Sequence, residues 1–459
     1  MPSLPDPPSR GETSWTPFRQ AEKHFKNRST PRFPSLLGRG VLDLSRPELE
    51  GDDEVWLAGW WCPDDPRGSS SLGNERRRRM RAWKGKERDR GERPETSLGG
   101  LRRLELSDGR EAWVVADGCI LIPRYLSPEE QLYLSQSALA EYTRPPNPLS
   151  LSTHYILPDT PPCLFERYAT ADPTPIYPRY NALDPEQRSQ VDLALTHGGS
   201  RRTIDTLPGS VLGYKEIVQK NKGWKGDVPS GKLGEKSAEK LMRELRWANL
   251  GWVYQWSTKS YDFTPERPIP FPPILAELCT AVVRLIPWAG VFNATDGPAS
   301  SLASPPETAA SSETNESTQP DFSTWTEDYA PDTGIVNFYQ LNDTLMAHVD
   351  RAELDPSRPL VSISLGHAAI FLLGSSSRDE PPVPIILRSG DVLIMSGKGR
   401  QSYHGVPRIM EGTLPAHFRP AETDDAIMSA TKRFMSTARI NINARQVFPP
   451  GFKRPDRDA

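Results

Sequence analysis

Residues 334–448 divide into short runs rich in β-branched and apolar side chains, and this pattern restricts the chain more than any other feature. The runs cover 334–341, 345–349, 360–365, 368–374, 384–387, 392–396 and 439–447, with turn signals such as Ser389-Gly390-Asp391 between them. Many short strands at such spacing predict two packed sheets, a sandwich or jelly roll, within a mainly β (α+β) protein. Residues 411–430 form a polar helix- or loop-forming excursion before the last run.

Within these runs the polar residues are placed with purpose. Residues i and i+2 of a strand share a face, so His348 and Asp350 can grip one metal while Val349 turns into the core. His404 follows 54 residues after Asp350, on another strand. Two imidazoles and one carboxylate on one side of a metal leave positions open, the ligand pattern of non-heme Fe(II) oxygenases. A His-x-Asp pair alone is weak; His404 and the arginines of the last strand make it specific. His24, His154, His197, His367 and His417 have no such companions and read as structural.

Arg439 and Arg445 are six residues apart, hence on one face of the last strand with Asn441 and Asn443. A guanidinium holds a carboxylate through two parallel hydrogen bonds. Buried at the open end of a barrel, Arg439 would anchor the distal carboxylate of 2-oxoglutarate. Arg445 would brace either Asp350 or the proximal carboxylate. Asn337 and Tyr339, again i and i+2, would add hydrogen bonds to the co-substrate.

The rest of the chain supplies a frame and a surface. Residues 16–33 suggest a short helix, and Trp56, Trp60 and Trp61 a patch packed on a neighbouring domain. The arginine-rich run 75–86 is a solvated segment, an import signal or a nucleic-acid-contacting arm. Residues 119–126 read as a strand. Ser127-Pro128-Glu129-Glu130 then caps a helix that runs to Tyr142. A second short helix is expected over 186–196. Lys215, Lys220, Lys222, Lys225, Lys232, Lys236 and Lys240 mark a solvated loop or a phosphate-contacting surface. Aromatics alternate at Trp252, Tyr254 and Trp256, a strand stripe that serves as core or stacks on a base. Ile274, Leu275, Leu278, Val282 and Leu285 define an amphipathic helix over 272–285. Residues 295–326 are too poor in apolar side chains to order themselves. The expected organisation is a variable, partly disordered region 1–115, an extension with a recognition lid 116–294, an insertion 295–328 and a catalytic core 329–459.

Composition removes several classes. A net charge of −3 over 459 residues is no polycation, although a local basic face still suits nucleic acid. The four cysteines have no Cys-x-x-Cys spacing, against a zinc site or a disulfide framework. There is no secretory leader pattern and no apolar span, so a soluble, intracellular protein without membrane contact is expected.

Several motifs together resemble the AlkB family of Fe(II)/2-oxoglutarate-dependent dioxygenases, most of all the eukaryotic AlkB homologue one group. They are Asn337-Phe338-Tyr339, His348-Val349-Asp350-Arg351-Ala352-Glu353, Ser362-Ile363-Ser364-Leu365-Gly366, Arg378-Asp379-Glu380, His404-Gly405-Val406-Pro407-Arg408 and Arg439-Ile440-Asn441 through Arg445-Gln446. The resemblance covers about 240–448, and more loosely from 118. It implies a double-stranded β-helix (jelly roll) core with flanking helices and a nucleotide-recognition lid. Fe(II) would sit on His348, Asp350 and His404. The co-substrate 2-oxoglutarate would lie on Asn337, Phe338, Tyr339, Arg439, Asn441 and Arg445, with O2 as oxidant. Trp252, Tyr254, Tyr261 and Arg378 would meet substrate. The implied activity is oxidative demethylation of N-methylated bases in DNA or RNA, tRNA included, with release of formaldehyde, succinate and CO2, in DNA repair or tRNA modification. A base in a duplex must be flipped out for this. The acid that bacterial AlkB carries two residues after the metal Asp is Ala352 here, with Glu353 one further on, so base recognition is expected to differ. A monomer located in the nucleus, cytoplasm or mitochondrion is expected. Two other readings stand beside this one: a protein-directed hydroxylase on the same barrel, and a catalytically silent nucleic-acid-binding scaffold.

Overall fold

The computed structural model describes residues 15–26, 41–45, 60–61, 101–152, 154–178, 234–255, 260–262, 269–292, 320–350 and 353–448. The arginine-rich run 75–86, the helix expected over 186–196, Lys215 to Lys232, Trp256, Cys62 and most of the insertion 295–326 lie outside these residues.

The chain opens with α1 (Pro17–Lys26), then β1 (Val41–Leu42) and β2 (Trp60–Trp61). A meander follows: β3 (Arg102–Glu105), β4 (Glu111–Ala116) and β5 (Cys119–Ile122). Helix α2 (Pro128–Ala140) starts where the sequence places it. Ser127 Oγ accepts from Glu130 N, and Glu130 returns its carboxylate to Ser127 N in a capping box. Next come α3 (Leu164–Ala169), α4 (Ala238–Glu244), β6 (Trp247–Gly251) and a hairpin of β7 (Val253–Gln255) and β8 (Ser260–Asp262). Helices α5 (Pro273–Arg284), α6 (Trp288–Val291) and α7 (Trp325–Asp328) precede the strand-rich half. There the strands are β9 (Thr333–Gln340), β10 (Leu345–His348), β11 (Leu360–Gly366), β12 (Ala369–Leu373), β13 (Val383–Leu387), β14 (Val392–Met395), β15 (His404–Ile409) and β16 (Ala438–Arg445). Helix α8 (Ala426–Met435) begins in the polar excursion, runs past its end and buries Ala430, Phe434 and Met435.

These strands make two large sheets. One runs β10-β15-β12-β13-β1-β2 and the other β3-β4-β5-β14-β11-β16-β9-β6. The larger sheet therefore takes strands from both sides of residue 329. Alternation assigns the layers. On β12, Ala369, Phe371 and Leu373 meet Leu121, Leu393 and Met395 of the opposing sheet, while Ile370 and Leu372 turn outward to Phe18, Ala21 and Phe25 of α1. On β16, Ile440, Ile442 and Ala444 face the helical layer with Val336 and Phe338 of β9 and Phe434 of α8. The order is thus helix, sheet, sheet, helices, a jelly roll without barrel closure. The site lies on the facing surfaces of the two sheets, where polar side chains replace apolar ones.

Two sequence expectations are corrected at the level of packing. Ile274 is 52 % exposed rather than on the buried stripe of α5, which uses Leu275, Cys279, Val282 and Val283. Phe338 is fully buried on the outer face of β9, edge-on to Phe434 at 6.3 Å. It is one residue out of phase with Asn337 and Tyr339, and period-two alternation turns it away from any co-substrate.

Candidate metal centre

β10 is the margin of the six-stranded sheet and ends in His348. β15 begins with His404 directly opposite, and the two ring centroids are 4.3 Å apart. Asp350 completes the triangle, with Oδ1 at 3.8 Å from His348 Nε2 and Oδ2 at 3.8 Å from His404 Nε2. Neither separation is a hydrogen bond. One ligand atom from each residue lies within 4.8 Å of the other two, and this trio can hold a metal ion.

Hydrogen bonds behind the rings fix how the nitrogens are used. His348 Nδ1 is 3.0 Å from Met346 O, and His404 Nδ1 is 3.1 Å from Ser402 O. A carbonyl only accepts, so each Nδ1 carries the hydrogen and each Nε2 presents a lone pair toward Asp350. Burial, with His348 alongside, pushes the His404 imidazole down to about 4, so it is neutral near pH 7. Burial alone would raise the Asp350 carboxyl. Arg445, then His404 and His348, outweigh it and hold the group well below the usual carboxylate range. Phe371 stacks on His404 at 5.7 Å. Imidazole, imidazole and carboxylate form a donor set that suits Fe(II).

Arg439 lies on the same inner surface. It is 2 % exposed and donates Nη1 to His367 O (2.9 Å) and Leu387 O (3.1 Å), and Nη2 to Ser364 Oγ (2.7 Å). All three acceptors are neutral. No carboxylate of the described residues pairs with it, and its Nε is buried without an acceptor. Burial pushes this guanidinium down to about 10. A buried cation held only by neutral oxygens fits an incoming carboxylate. Tyr339 is the register partner of Arg439, and Asn337 that of Asn441. Asn441 Nδ2 donates to Ser362 Oγ at 2.9 Å and Ile363 O at 3.0 Å. Asn337, Tyr339, Arg439 and Asn441 thus share one inner surface.

Arg445 is employed differently. Its Nη1 donates to Glu353 Oε1 at 2.9 Å and lies 3.6 Å from Asp350 Oδ1. Of the two tasks foreseen for it, bracing Asp350 matches these contacts. The far oxygen of Glu353 is 2.9 Å from Arg400 Nη2. Tyr261 Oη donates to Glu353 Oε1 at 3.1 Å. Glu353 has a fully buried side chain, so its one-residue offset places it behind the metal ligands rather than in an open pocket. Arg400 escaped the sequence reading because it sits in a glycine-rich connection with no strand phase.

The residues expected to meet substrate divide. Trp252 packs edge-on to Phe448 at 5.2 Å, and Tyr254 to Tyr261 at 5.3 Å. Trp252 and Tyr254 are half-buried, whereas Tyr261 is only 6 % exposed and has its hydroxyl engaged. Arg378 is exposed at the rim, its guanidinium 4.6 Å above the Tyr403 ring, and it donates to Ala347 O at 3.3 Å. The N–H of Ala347 is taken by Glu22 Oε1 of α1 at 2.6 Å. The backbone beside His348 is therefore clasped from two sides, and Glu22 is a second contributor that sequence alone did not reveal.

Comparison with known proteins follows the same motifs. The family model described as the 2OG-Fe(II) oxygenase superfamily matches residues 214–445, just over half of the chain. A "DNA N(6)-methyladenine demethylase ALKBH1A" of Arabidopsis thaliana is 36 % identical over 265 residues, 55 % of this chain and 66 % of that protein. A "Nucleic acid dioxygenase ALKBH1" of Mus musculus is 32 % identical, over 48 % of this chain and 51 % of that one. The chain thus spans less than two thirds of the length of these two relatives. A "tRNA demethylase abh1" of Schizosaccharomyces pombe is 28 % identical over 73 % of this chain and 80 % of that protein. With a facing His-Asp-His trio and a buried arginine on the last strand, the chain belongs to the 2OG-Fe(II) oxygenase superfamily, as an AlkB-type member related to the eukaryotic AlkB homologue one proteins.

Proposed function

We propose that this chain is an Fe(II)- and 2-oxoglutarate-dependent oxidative demethylase of N-methylated nucleobases. When bound, iron and 2-oxoglutarate supply the oxidation of an N-methyl group by O2, with formaldehyde, succinate and CO2 as products. The observation that carries the reading is the shared inner surface on which His348, Asp350 and His404 converge and on which no carboxylate of the described residues pairs with Arg439. The relatives named for N6-methyladenine in DNA, for nucleic acid and for tRNA support the substrate class.

In this reading His348, Asp350 and His404 hold the metal. Their Nδ1–H bonds to Met346 O and Ser402 O keep the rings aimed during turnover. Arg439 receives the distal carboxylate of 2-oxoglutarate, and Tyr339, Asn337 and Asn441 line the same surface. Phe371 and the inner apolar cluster exclude water from one side of the trio. The hairpin of β7 and β8, with Trp252 and Tyr254, supplies aromatic faces for a base taken out of its stack. Arg378 contacts the substrate backbone at the rim.

The test is nucleoside mass spectrometry after total RNA and DNA are incubated with the chain, iron, 2-oxoglutarate and ascorbate. Loss of an N-methylated nucleoside matched by formaldehyde is expected, and Asp350→Ala should abolish both. Formaldehyde at the wild-type rate from Asp350→Ala, or succinate formation stimulated by protein and indifferent to nucleic acid, would overturn the proposal.

A further inference from the structure

Arg439 is gripped by a turn, and the turn is held by a buried imidazole. β11 ends at Gly366, the register partner of Arg439, and β12 begins at Ala369. Gly366 has a φ of +84°, and a Cβ there would lie 2.9 Å from Ala438 O, so glycine lets the turn press against the start of β16. His367 follows and is 3 % exposed. Its carbonyl accepts from Arg439 Nη1 at 2.9 Å. Its ring reaches elsewhere: Nδ1 is 3.2 Å from Met410 O and Nε2 is 3.0 Å from Ser436 O. A carbonyl only accepts, so the ring is the donor in these contacts. Met410 follows β15, and Ser436 caps α8 three residues before Arg439. One side chain thus ties the turn to the segment that leads into β16.

A guanidinium has five N–H donors in one fixed plane. In Arg439, Nη1 donates to His367 O and Leu387 O, and Nη2 donates to Ser364 Oγ. Two donors are left, on Nε and Nη2, and Nε is buried with no acceptor among the described residues. Two is the number that a carboxylate takes side by side. The carbonyls on Nη1 therefore set the plane in which that remaining pair meets a ligand. If the turn carbonyl swings away, the plane can rotate and the pair no longer faces a carboxylate squarely. We infer that His367, through its ring contacts with Met410 O and Ser436 O, is a positioning residue that aims Arg439 at the distal carboxylate of 2-oxoglutarate. This rests on the proposed function in taking Arg439 as the carboxylate anchor.

The test is calorimetric titration of the full chain, loaded with Mn(II), with 2-oxoglutarate and with 2-oxobutyrate, a 2-oxo acid without the distal carboxylate. Wild type should bind 2-oxoglutarate more tightly than 2-oxobutyrate. His367→Leu, which keeps bulk but has no side-chain N–H, should weaken 2-oxoglutarate by about tenfold, the size of one charged hydrogen bond, and leave 2-oxobutyrate unchanged. His367→Gln, whose amide can donate to one of the two carbonyls, should recover part of that loss. A merely structural histidine would weaken both acids alike. Equal weakening of the two acids, or a wild-type preference for 2-oxoglutarate kept in His367→Leu, overturns the positioning and leaves the anchor at Arg439 standing. A wild type that binds the two acids equally removes the anchor itself, and the positioning with it. Thermal melts without ligand report folding. Where only His367→Gln folds, the same comparison is made on it, and a preference equal to that of wild type overturns the positioning. Loss of folding in both variants marks His367 as structural and overturns it as well.

Discussion

Arg439→Met tests the anion site most directly. The side chain is 2 % exposed and bonded only to neutral oxygens. Without ligand, two opposing effects follow. The change leaves His367 O, Leu387 O and Ser364 Oγ short of a donor, at about 1–3 kcal/mol for each group left unsatisfied. It also removes a buried cation that no carboxylate of the described residues pairs with, worth several kcal/mol in the other direction. The ligand-induced increment is therefore the readout, not the absolute melting temperature. At a 2-oxoglutarate concentration of 100 Kd, wild type gains about 2.7 kcal/mol. Losing a charged hydrogen bond of about 1.5–3 kcal/mol raises Kd by about 10- to 150-fold. The same ligand concentration then stabilises the variant by only about 0.3–1.3 kcal/mol. For a folded body of 150–250 residues this corresponds to a melting shift of about 5–11 °C in wild type and about 1–5 °C in the variant. The assay is differential scanning fluorimetry with Mn(II) in place of iron, so that nothing turns over. 2-Oxobutyrate, which lacks the distal carboxylate, should give the same small shift in both proteins. A full 2-oxoglutarate shift in Arg439→Met would refute the assignment.

Two further expectations come from groups whose surroundings are unusual. The native His404 imidazole stays neutral down to about pH 4, whereas the unfolded chain takes up that proton near 6.5. Metal-free protein should therefore lose stability as pH falls across this window, by at most about 1.4 kcal/mol per pH unit, and urea melts of His404→Phe should lack that part of the slope; identical slopes would contradict it. Asn249 is 1 % exposed on β6, and among the described residues neither polar atom of its amide has a hydrogen-bond partner, so Asn249→Leu should raise stability by about 1–3 kcal/mol, and a lower denaturation midpoint would refute this.

Much of the site was legible because it is written in strand phase. Arg439, Asn441 and Arg445 recur every second residue or a multiple of it, and Ile440, Ile442 and Ala444 fill the gaps with core. The same rule, applied to β9, puts Asn337 and Tyr339 on the inner surface and Phe338 in the core behind it, although all three stand together in one motif. What stayed hidden depends on long-range pairing. Nothing local in Cys119–Ile122 says that it lies beside β14, and nothing in Glu22 says that it will meet Ala347, 325 residues away. The sequence ties the offset of Glu353 to base recognition, and its burial beside Arg400, Arg445 and Tyr261 depends on three other segments that local pattern does not join to it.

The clasp around Ala347 has a consequence for how these molecules behave in a crowd. β10 is a sheet margin, and an open margin invites strand addition from another chain. Here the N–H and C=O of Ala347 are already claimed by Glu22 and Arg378, and the apolar face behind them is covered by Phe18 and Phe25. A proteolytic cut that released α1 would thus do more than loosen His348. It would uncover a sticky edge next to a bare apolar face, and self-association would become a route by which clipped molecules are lost.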